Sequence, residues 1–325
     1  MIVRCMMTGL LLSSSSVVGW AQVWSPQRNL EIVVTSVPGG SNDKTARTVE
    51  AILTANKLVS TSITVVNKPG GGGNIALTYL TQRPADGHTV MIATPGLLTA
   101  HITGSRGLSH TDLTPIASLF NDYTVFTVNS ASPMKTGEDL IGRLRKDPKS
   151  VPVGLAGAVG SLQHLPVALF TKAIGGNFRD LKVVGFKGSA ESITNLLGGH
   201  VDLVPTAAGN AAPHVASGRL RVLGVAAPKR FGGALAHVPT WKEQGVDLVW
   251  SGWRAIVGPK GLSAAQVAYW ETVLRKATEY PEWKADIEKN YWSDDFATSA
   301  QFRKDLDNDY ASMKTVLSEL GLAKQ

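Results

Sequence analysis

The sequence predicts an α/β fold with mostly parallel sheets, organised in two domains. Short β-branched apolar runs alternate with helical apolar patterns almost throughout the chain. Several of these runs end at loops rich in glycine, serine, threonine or asparagine. Ligands of parallel α/β sheets bind at the carboxyl ends of the strands, so these loops are the candidate functional positions. A length of 325 residues is sufficient for two domains.

The first junction between a strand and a helix is the most informative segment. A strand over residues 30–37 ends at the turn Pro38-Gly39-Gly40, and Ser41-Asn42-Asp43 opens a helix predicted over residues 43–57. The first turn of a helix has unpaired N–H groups and the positive end of the helix dipole. Glycine lets an anion approach these groups, so the junction predicts a cradle for a carboxylate or a phosphate.

The rest of the sequence continues this alternation of strands, loops and helices in two parts. In the first part the predicted elements are a strand at 63–66, a glycine-rich loop at 67–74, a helix at 74–82, a strand at 88–93, an open turn at 94–96 and extended stretches at 113–120 and 124–128. In the second part they are helices at 136–146, 161–173, 190–197 and up to 217, and strands at 151–155, 181–186, 201–205 and 220–226. The change of character near Thr114 indicates the start of a second domain.

The amino terminus predicts an export signal. The positive charge of Arg4 precedes an apolar stretch that ends at Gly19-Trp20-Ala21, so residues 1–21 are assigned to a signal peptide cleaved after Ala21. A membrane anchor is the alternative, but the stretch is short and rich in serine. The single cysteine, Cys5, lies inside this signal, so the mature chain has no thiol chemistry and a periplasmic location is predicted.

Charge and motifs argue against two classes of function. The formal net charge of +7 is scattered, and no basic stripe or recognition motif indicates binding of nucleic acid. A mild positive field favours anionic solutes. The sequence contains no G-x-S-x-G, H-E-x-x-H or Walker motif, and Ser161 and His164 are poorly spaced for a nucleophile and its base. We therefore do not expect an enzyme.

A series of short segments, in order along the mature chain, matches the motifs of a known family. They include Val37-Pro38-Gly39-Gly40-Ser41-Asn42-Asp43, Asn67-Lys68-Pro69-Gly70-Gly71-Gly72-Gly73-Asn74-Ile75, Ala85-Asp86-Gly87-His88-Thr89, Asp112-Leu113-Thr114-Pro115-Ile116-Ala117 and Gly198-Gly199-His200-Val201-Asp202. On these motifs the chain resembles the substrate-binding proteins of tripartite tricarboxylate transporters, also called the Bug family. The resemblance covers nearly all of the mature chain.

The resemblance implies the architecture of a two-domain periplasmic binding protein, with crossing hinge strands and closure on the ligand like a flytrap. We assign residues 22–120 to the first part of domain 1, 121–222 to domain 2, and 223–325 to the return of domain 1 with the C-terminal helices. The resemblance also implies that the ligand is a small mono-, di- or tricarboxylate and that no metal or cofactor is needed. The implied partners are the permease subunits of a tripartite transporter, and a monomer is expected.

The expected ligand contacts lie on loops of both domains. They are Gly39, Gly40, Ser41, Asn42, Asp43, Thr94, Gly160, Ser161, His164, Gly188, Ser189, Thr206 and Asn210. Their amides and hydroxyls are expected to hold a carboxylate through charge-assisted hydrogen bonds, without an arginine. A helix-terminal role is the alternative for Asp43, and a structural role is the alternative for His164.

Three functions remain open from the sequence. The first is a solute receptor that hands an organic anion to a membrane permease. The second is an exported solute sensor that acts through a sensor kinase and shares the same fold and site. The third is an exported hydrolase, which the spacing of Ser161 and His164 disfavours.

Overall fold

The structure is a computed structural model that describes residues 24–324. The predicted signal peptide, residues 1–21, lies outside this part of the chain. The strands are β1 Leu30–Val34, β2 Ile63–Asn67, β3 Thr89–Ala93, β4 Leu113–Phe120, β5 Thr124–Asn129, β6 Val153–Ala156, β7 Val183–Phe186, β8 Val204–Ala207, β9 Leu220–Val225, β10 Arg254–Pro259 and β11 Ala297–Thr298. The helices are α1 Ser41–Ala55, α2 Asn74–Thr81, α3 Gly96–Ile102, α4 Gly137–Lys146, α5 His164–Ala173, α6 Ser189–Leu197, α7 Ala208–Ala216, α8 Ala264–Thr278, α9 Pro281–Asn290 and α10 Ser299–Glu319.

The first lobe is built on a six-stranded sheet in the order β11-β4-β10-β3-β1-β2. Strand β1 is parallel to β2 and β3, whereas β10 is antiparallel to both β3 and β4. Helix α1 buries the predicted stripe of Ala46, Val49, Ile52 and Leu53 on one face of this sheet. The carboxyl ends of β1, β2, β3 and β4 therefore share one edge with the beginning of β10.

The second lobe contains the sheet β8-β5-β9 and the pair β6-β7. Strands β6 and β7 are parallel, and a parallel bridge between Val153 and Leu203 connects β6 to the start of the β8 segment. Strand β5 is antiparallel to β8 and β9. The carboxyl ends of β6, β7 and β8 consequently lie at the same edge as the beginning of β5.

Two crossing segments join the lobes, and they bring these two edges to face each other. The chain leaves the first lobe between β4 and β5 and returns immediately before β10. Tyr123 and Ser251 form an antiparallel bridge between the two crossings, and the Gly252 N–H donates to the Asp122 carbonyl at 2.8 Å. The predicted α/β class, the two-domain arrangement and the crossing strands are confirmed. Five of the eight ladders in residues 24–324 are antiparallel, because each crossing strand runs against its sheet neighbours.

The boundary assigned at residue 222 falls inside β9, which pairs with β5 of the second lobe. Beyond this strand the chain stays with the second lobe. Val225 bridges to Thr240, and the fully buried Trp241 packs against Phe126 and Phe170 with ring centroids 5.2 and 4.4 Å apart. The structure thus moves the return to domain 1 to residues 250–254, because strand pairing and the Trp241 core hold the preceding segment.

Helix α10 contacts both lobes. Near its start, the Ser299 hydroxyl donates to the Pro115 carbonyl of β4 at 2.7 Å. At its end, Glu319 forms an ion pair with Lys172 of α5 at 2.7 Å. The helix therefore runs along one side of the crossing from the first lobe to the second. Within residues 24–324, no helix combines the length and apolar character needed to cross a membrane.

Candidate functional site

The first predicted ligand loop folds back on itself. Gly39 has a φ of +81°, a left-handed conformation that glycine adopts without strain. Its N–H donates to Asp43 Oδ2 at 2.8 Å, and the Gly40 N–H donates to the Val37 carbonyl at 3.1 Å. These two amides are therefore paired inside the loop, which removes two donors from the expected cradle. The amides of Ser41 and Asn42, at the start of α1, have no acceptor among the described residues.

Asp43 holds this loop in place. Its carboxylate is buried and also accepts from Arg47 Nε and Asn67 Nδ2, each at 2.9 Å. The hydrogen bond from Arg47 lowers the pKa of Asp43 to about 2, against the opposing effect of burial. Asn67 also donates to the Ser36 carbonyl, so it links the ends of β1 and β2. These contacts support the structural alternative for Asp43 over direct contact with a ligand.

In the second lobe, Gly160 forms the same kind of hydrogen bond to the side chain four residues later. This glycine has a φ of +84°, and its N–H donates to His164 Nδ1 at 3.0 Å. His164 is only 2% exposed, and burial lowers its pKa to about 4. A neutral ring that accepts at Nδ1 carries its proton on Nε2. His164 therefore clamps its loop as Asp43 does, which supports its structural alternative.

Helix α5 begins at His164, three residues later than the sequence predicts. The Ser161 N–H donates to the Ala158 carbonyl at 3.0 Å, so a tight turn precedes the helix. The expectation that Gly160 and Ser161 offer free helix-terminal amides is thus wrong. A local turn competes with helix initiation at this point, and both amides are satisfied inside the loop.

Unlike its amide, the Ser161 hydroxyl is not hydrogen-bonded to any described residue. Its Oγ is buried and has no hydrogen-bond partner within residues 24–324. Native proteins pair almost all buried polar groups, because an unpaired one costs about 1–3 kcal/mol. This orphaned hydroxyl, at a position already predicted to contact ligand, indicates a missing polar partner.

The loop at Ser161 lies beside the loop at Gly188. Ala156 and Phe186, the last residues of β6 and β7, are in register, and the Gly157 N–H donates to the Phe186 carbonyl at 2.9 Å. Gly188 precedes α6, which begins at Ser189. The amides of Gly188 and Ser189 have no acceptor in the part of the chain that is described. The second lobe therefore offers one free hydroxyl and two free amides at neighbouring loops.

Three further predicted residues lie at the same edges. Thr206 is in register with Val125 of β5 and its hydroxyl accepts from Asn210 Nδ2 at 3.3 Å, so these two side chains are joined by one hydrogen bond. Thr94 follows β3 and begins the turn into α3, a seven-residue helix that the sequence analysis missed. The Asn42 side chain donates to Thr35 Oγ1 at 2.9 Å and so is engaged within the first loop.

Arg254 is the residue that sequence reasoning missed. It begins β10 in register with Phe120, at the edge where the first-lobe loops meet. Its Nη2 donates to Ser41 Oγ at 3.0 Å and its Nη1 to the Gly252 carbonyl at 2.7 Å. Within residues 24–324 no carboxylate lies within ion-pair distance of the guanidinium. An arginine therefore touches the predicted loop of the first lobe, which the sequence analysis did not expect.

A cavity of about 580 Å³ lies elsewhere, between the crossing segments and α10. Trp250 and Trp253 border it, and none of the predicted ligand contacts does. Its lining includes Asp295, Asp305 and Asp309, and three carboxylates would repel an organic anion. We therefore place the candidate site at the facing loop edges. The described residues contain no group of three or more His, Cys, Asp or Glu side chains placed to hold a metal ion.

Comparison with known proteins gives a consistent result. A family model described as "Tripartite tricarboxylate transporter family receptor" matches residues 46–322. The "UPF0065 protein in gbd 5'region" of Cupriavidus necator is 29% identical over 301 residues, which cover 92% of this chain and 89% of that protein. Protein BugT of Bordetella pertussis is 28% identical over 241 residues, or 73% of this chain and 72% of BugT.

Solved structures share the whole fold. A TctC solute binding protein from Polaromonas, determined without ligand, has a TM-score of 0.79 and 25% identity, covering 90% of this chain and 99% of that one. R. palustris Rpa4515 with adipate has a TM-score of 0.75 and 27% identity, covering 92% of this chain and 99% of that one. Both therefore align over both lobes.

Proposed function

Since this chain belongs to the tripartite tricarboxylate transporter family of receptors, we propose that it binds a small organic carboxylate between its lobes and delivers it to the membrane subunits of a tripartite transporter. The proposed location is the bacterial periplasm, after removal of a signal peptide at Ala21. The protein acts as a receptor and catalyses no reaction. Adipate in a relative that aligns over both lobes supports a carboxylate as the ligand class.

One observation carries this proposal: hydrogen-bond donors without partners lie on the loop edges of both lobes. The first lobe contributes the amides of Ser41 and Asn42, beside the Arg254 guanidinium. The second contributes the Ser161 hydroxyl and the amides of Gly188 and Ser189. These amides, the hydroxyl and the guanidinium are donors suited to a carboxylate, so an anionic group is complementary to both loop edges.

The proposed mechanism is capture followed by closure. The positive end of α1 and the Arg254 guanidinium attract the carboxylate to the first lobe. Rotation about the crossing segments then brings Ser161 and the α6 amides onto the same ligand. Each charge-assisted hydrogen bond contributes roughly 1.5–3 kcal/mol. A few such bonds support micromolar affinity, about −8 kcal/mol, after ordering costs.

Calorimetry and thermal shift with a panel of mono-, di- and tricarboxylates test the binding step. Adipate is the first member, and 1,6-hexanediol, which has the same chain length without carboxylates, is the matched control ligand. We expect at least one carboxylate to raise the melting temperature and hexanediol to leave it unchanged. A flat response to the whole panel would contradict the proposal.

Uptake measurements test the delivery step. Cells that lack this protein should lose high-affinity uptake of the radiolabelled carboxylate identified by calorimetry, and the intact gene should restore it. Normal uptake in the deleted strain would exclude delivery to a transporter as the role of the protein.

A further inference from the structure

Two oppositely charged side chains lie on the crossing segments at the bottom of the proposed cleft. Asp122 is on the outgoing crossing, between β4 and β5, and Arg254 ends the return crossing. The hydrogen bond from the Gly252 N–H to the Asp122 carbonyl ties the two crossings together at this level. The two side chains do not form an ion pair in the described part of the chain, although each is close enough to influence the charge of the other.

Both side chains have a buried polar atom without a partner. These atoms are Asp122 Oδ1 and Arg254 Nε, and neither has a hydrogen bond within residues 24–324. Burial raises the pKa of Asp122 to about 6, and the positive charge of Arg254 and a hydrogen bond from Trp292 to the carboxyl oppose the rise. The neighbouring positive charge therefore favours the ionised form of this carboxyl. Leaving these two atoms unpaired is unfavourable, so each group favours a ligand that completes its hydrogen bonds.

Neighbouring polar groups on the crossings are satisfied, which confines the deficit to this pair. The Ser251 hydroxyl donates to Asn121 Oδ1 at 2.7 Å, and Asn121 Nδ2 donates to Asp295 Oδ2 at 3.2 Å. Asp295 also accepts from the Tyr123 hydroxyl at 3.3 Å. Asp122 and Arg254 differ from this network because each keeps a buried polar atom unpaired, and Arg254 also contacts the predicted ligand loop at Ser41.

The Arg254 side of the pair is suited to a carboxylate. Arg254 donates to Ser41 Oγ, so the Ser41 hydroxyl proton is free to donate to a ligand. The free amides of Ser41 and Asn42 lie at the start of the fifteen-residue helix α1, next to this hydroxyl in the chain. An anion at this point also neutralises the guanidinium, whereas it leaves the Asp122 carboxylate without a counter-charge.

We propose that Asp122 and Arg254 together select a zwitterionic ligand, in which an ammonium group lies close to a carboxylate, as in an α-amino acid. This inference rests on the proposed function. Arg254 and Ser41 hold the carboxylate, and Asp122 accepts hydrogen bonds from the ammonium group. A dicarboxylate without an amino group satisfies only Arg254, and an amine without a carboxylate satisfies only Asp122.

Matched ligand pairs test this selection by calorimetry on the wild-type protein. The pairs are adipate with L-2-aminoadipate and glutarate with L-glutamate, which differ only in the amino group. We expect the amino member of at least one pair to bind about tenfold tighter or more, because it gains one charge-assisted hydrogen bond. Equal or weaker binding of both amino members would overturn the inference.

Asp122→Asn preserves the shape of the side chain and removes its charge. We expect this variant to lose the preference for the amino ligand and to bind the plain dicarboxylate at least as well as the wild type. Asp295→Asn is the matched control, since it removes a carboxylate that the crossing network already satisfies. A retained amino preference in Asp122→Asn would overturn the inference, and so would its loss in both variants.

The outcomes separate the inference from the proposed function. Binding of dicarboxylates without any amino preference leaves the receptor function standing and overturns the role of Asp122. Failure of every carboxylate and amino acid to bind overturns both. Circular dichroism and the melting temperature of each variant establish that a change in preference does not come from unfolding.

Discussion

At the residue scale, Gly39 and Gly160 show how two unrelated sequences build the same loop. Each glycine is in the left-handed region and donates its N–H to the side chain four residues later, which is Asp43 in one lobe and His164 in the other. The side chain replaces a ligand as the partner of that amide. Among the described residues, groups later in each loop, such as the Ser41 amide and the Ser161 hydroxyl, have no hydrogen-bond partner.

Ser161→Ala should move ligand affinity and stability in different directions. The hydroxyl is buried without a partner, so its removal should leave the free energy of unfolding unchanged or slightly higher. Loss of a charge-assisted hydrogen bond should weaken carboxylate binding about tenfold or more. Urea unfolding and calorimetry measure the two effects. Unchanged affinity would remove Ser161 from the site.

His164 should make the protein less stable in mild acid. Burial lowers its pKa from 6.5 to about 4, so between these values the unfolded chain binds a proton that the folded protein does not. Its contribution is complete above pH 6.5 and is lost as the pH falls towards 4, by roughly 2–3 kcal/mol.

His164→Gln should flatten this part of the stability profile, because glutamine does not titrate and its carbonyl can accept from Gly160. Urea unfolding between pH 4 and 7 provides the measurement. His237→Gln, which replaces an exposed histidine, is the control for the change in composition. An identical pH profile for His164→Gln and the wild type would contradict the assignment.

At the scale of elements, the register of β6 and β7 sets the distance between the two second-lobe loops. A Cβ on Gly185 would come within 2.7 Å of the Gly157 carbonyl oxygen, closer than atoms tolerate. Glycine at this position therefore lets the loop at Ser161 approach the loop at Gly188. Close approach of the backbones is the physical reason for the residue, since φ of Gly185 is not in the left-handed region.

Gly185→Ala should push these loops apart. We expect a loss of about 1–3 kcal/mol in the free energy of unfolding, typical of overpacking, together with weaker carboxylate binding. Gly107→Ala, at a glycine with nothing within 4 Å of the added Cβ, is the control and should change neither quantity. Unaltered affinity in Gly185→Ala would show that the spacing of the loops does not matter for binding.

At the scale of the whole molecule, the crossing segments determine what closure can do. They hold the two loop edges opposite each other, and α10 contacts both lobes along one side. Rotation about the crossings is therefore the motion that would bring Ser161 towards Ser41. The acidic cavity beside α10 is lined by none of the predicted ligand contacts.

Small-angle scattering tests this motion. The radius of gyration should fall when the protein is saturated with a carboxylate that calorimetry shows to bind, because the lobes approach each other. The same measurement with 1,6-hexanediol controls for effects of the added solute. Superimposable profiles with and without bound carboxylate would argue against closure.

The sequence by itself determined the α/β alternation, the positions of most strands and helices, and the resemblance to a receptor family, and it predicted the candidate ligand loops after β1, β6 and β7. These features depend on short-range patterns of apolar residues and glycine, which a linear chain displays directly.

Only the tertiary structure decided which groups of those loops are free. The Gly39 and Gly160 amides are used by side chains four residues away, and Arg254 reaches Ser41 across 213 residues. It also decided that the chain returns to the first lobe after residue 250, because β9 pairs with β5. Hydrogen-bond pairing and strand partners are long-range outcomes of packing, so no local pattern specifies them.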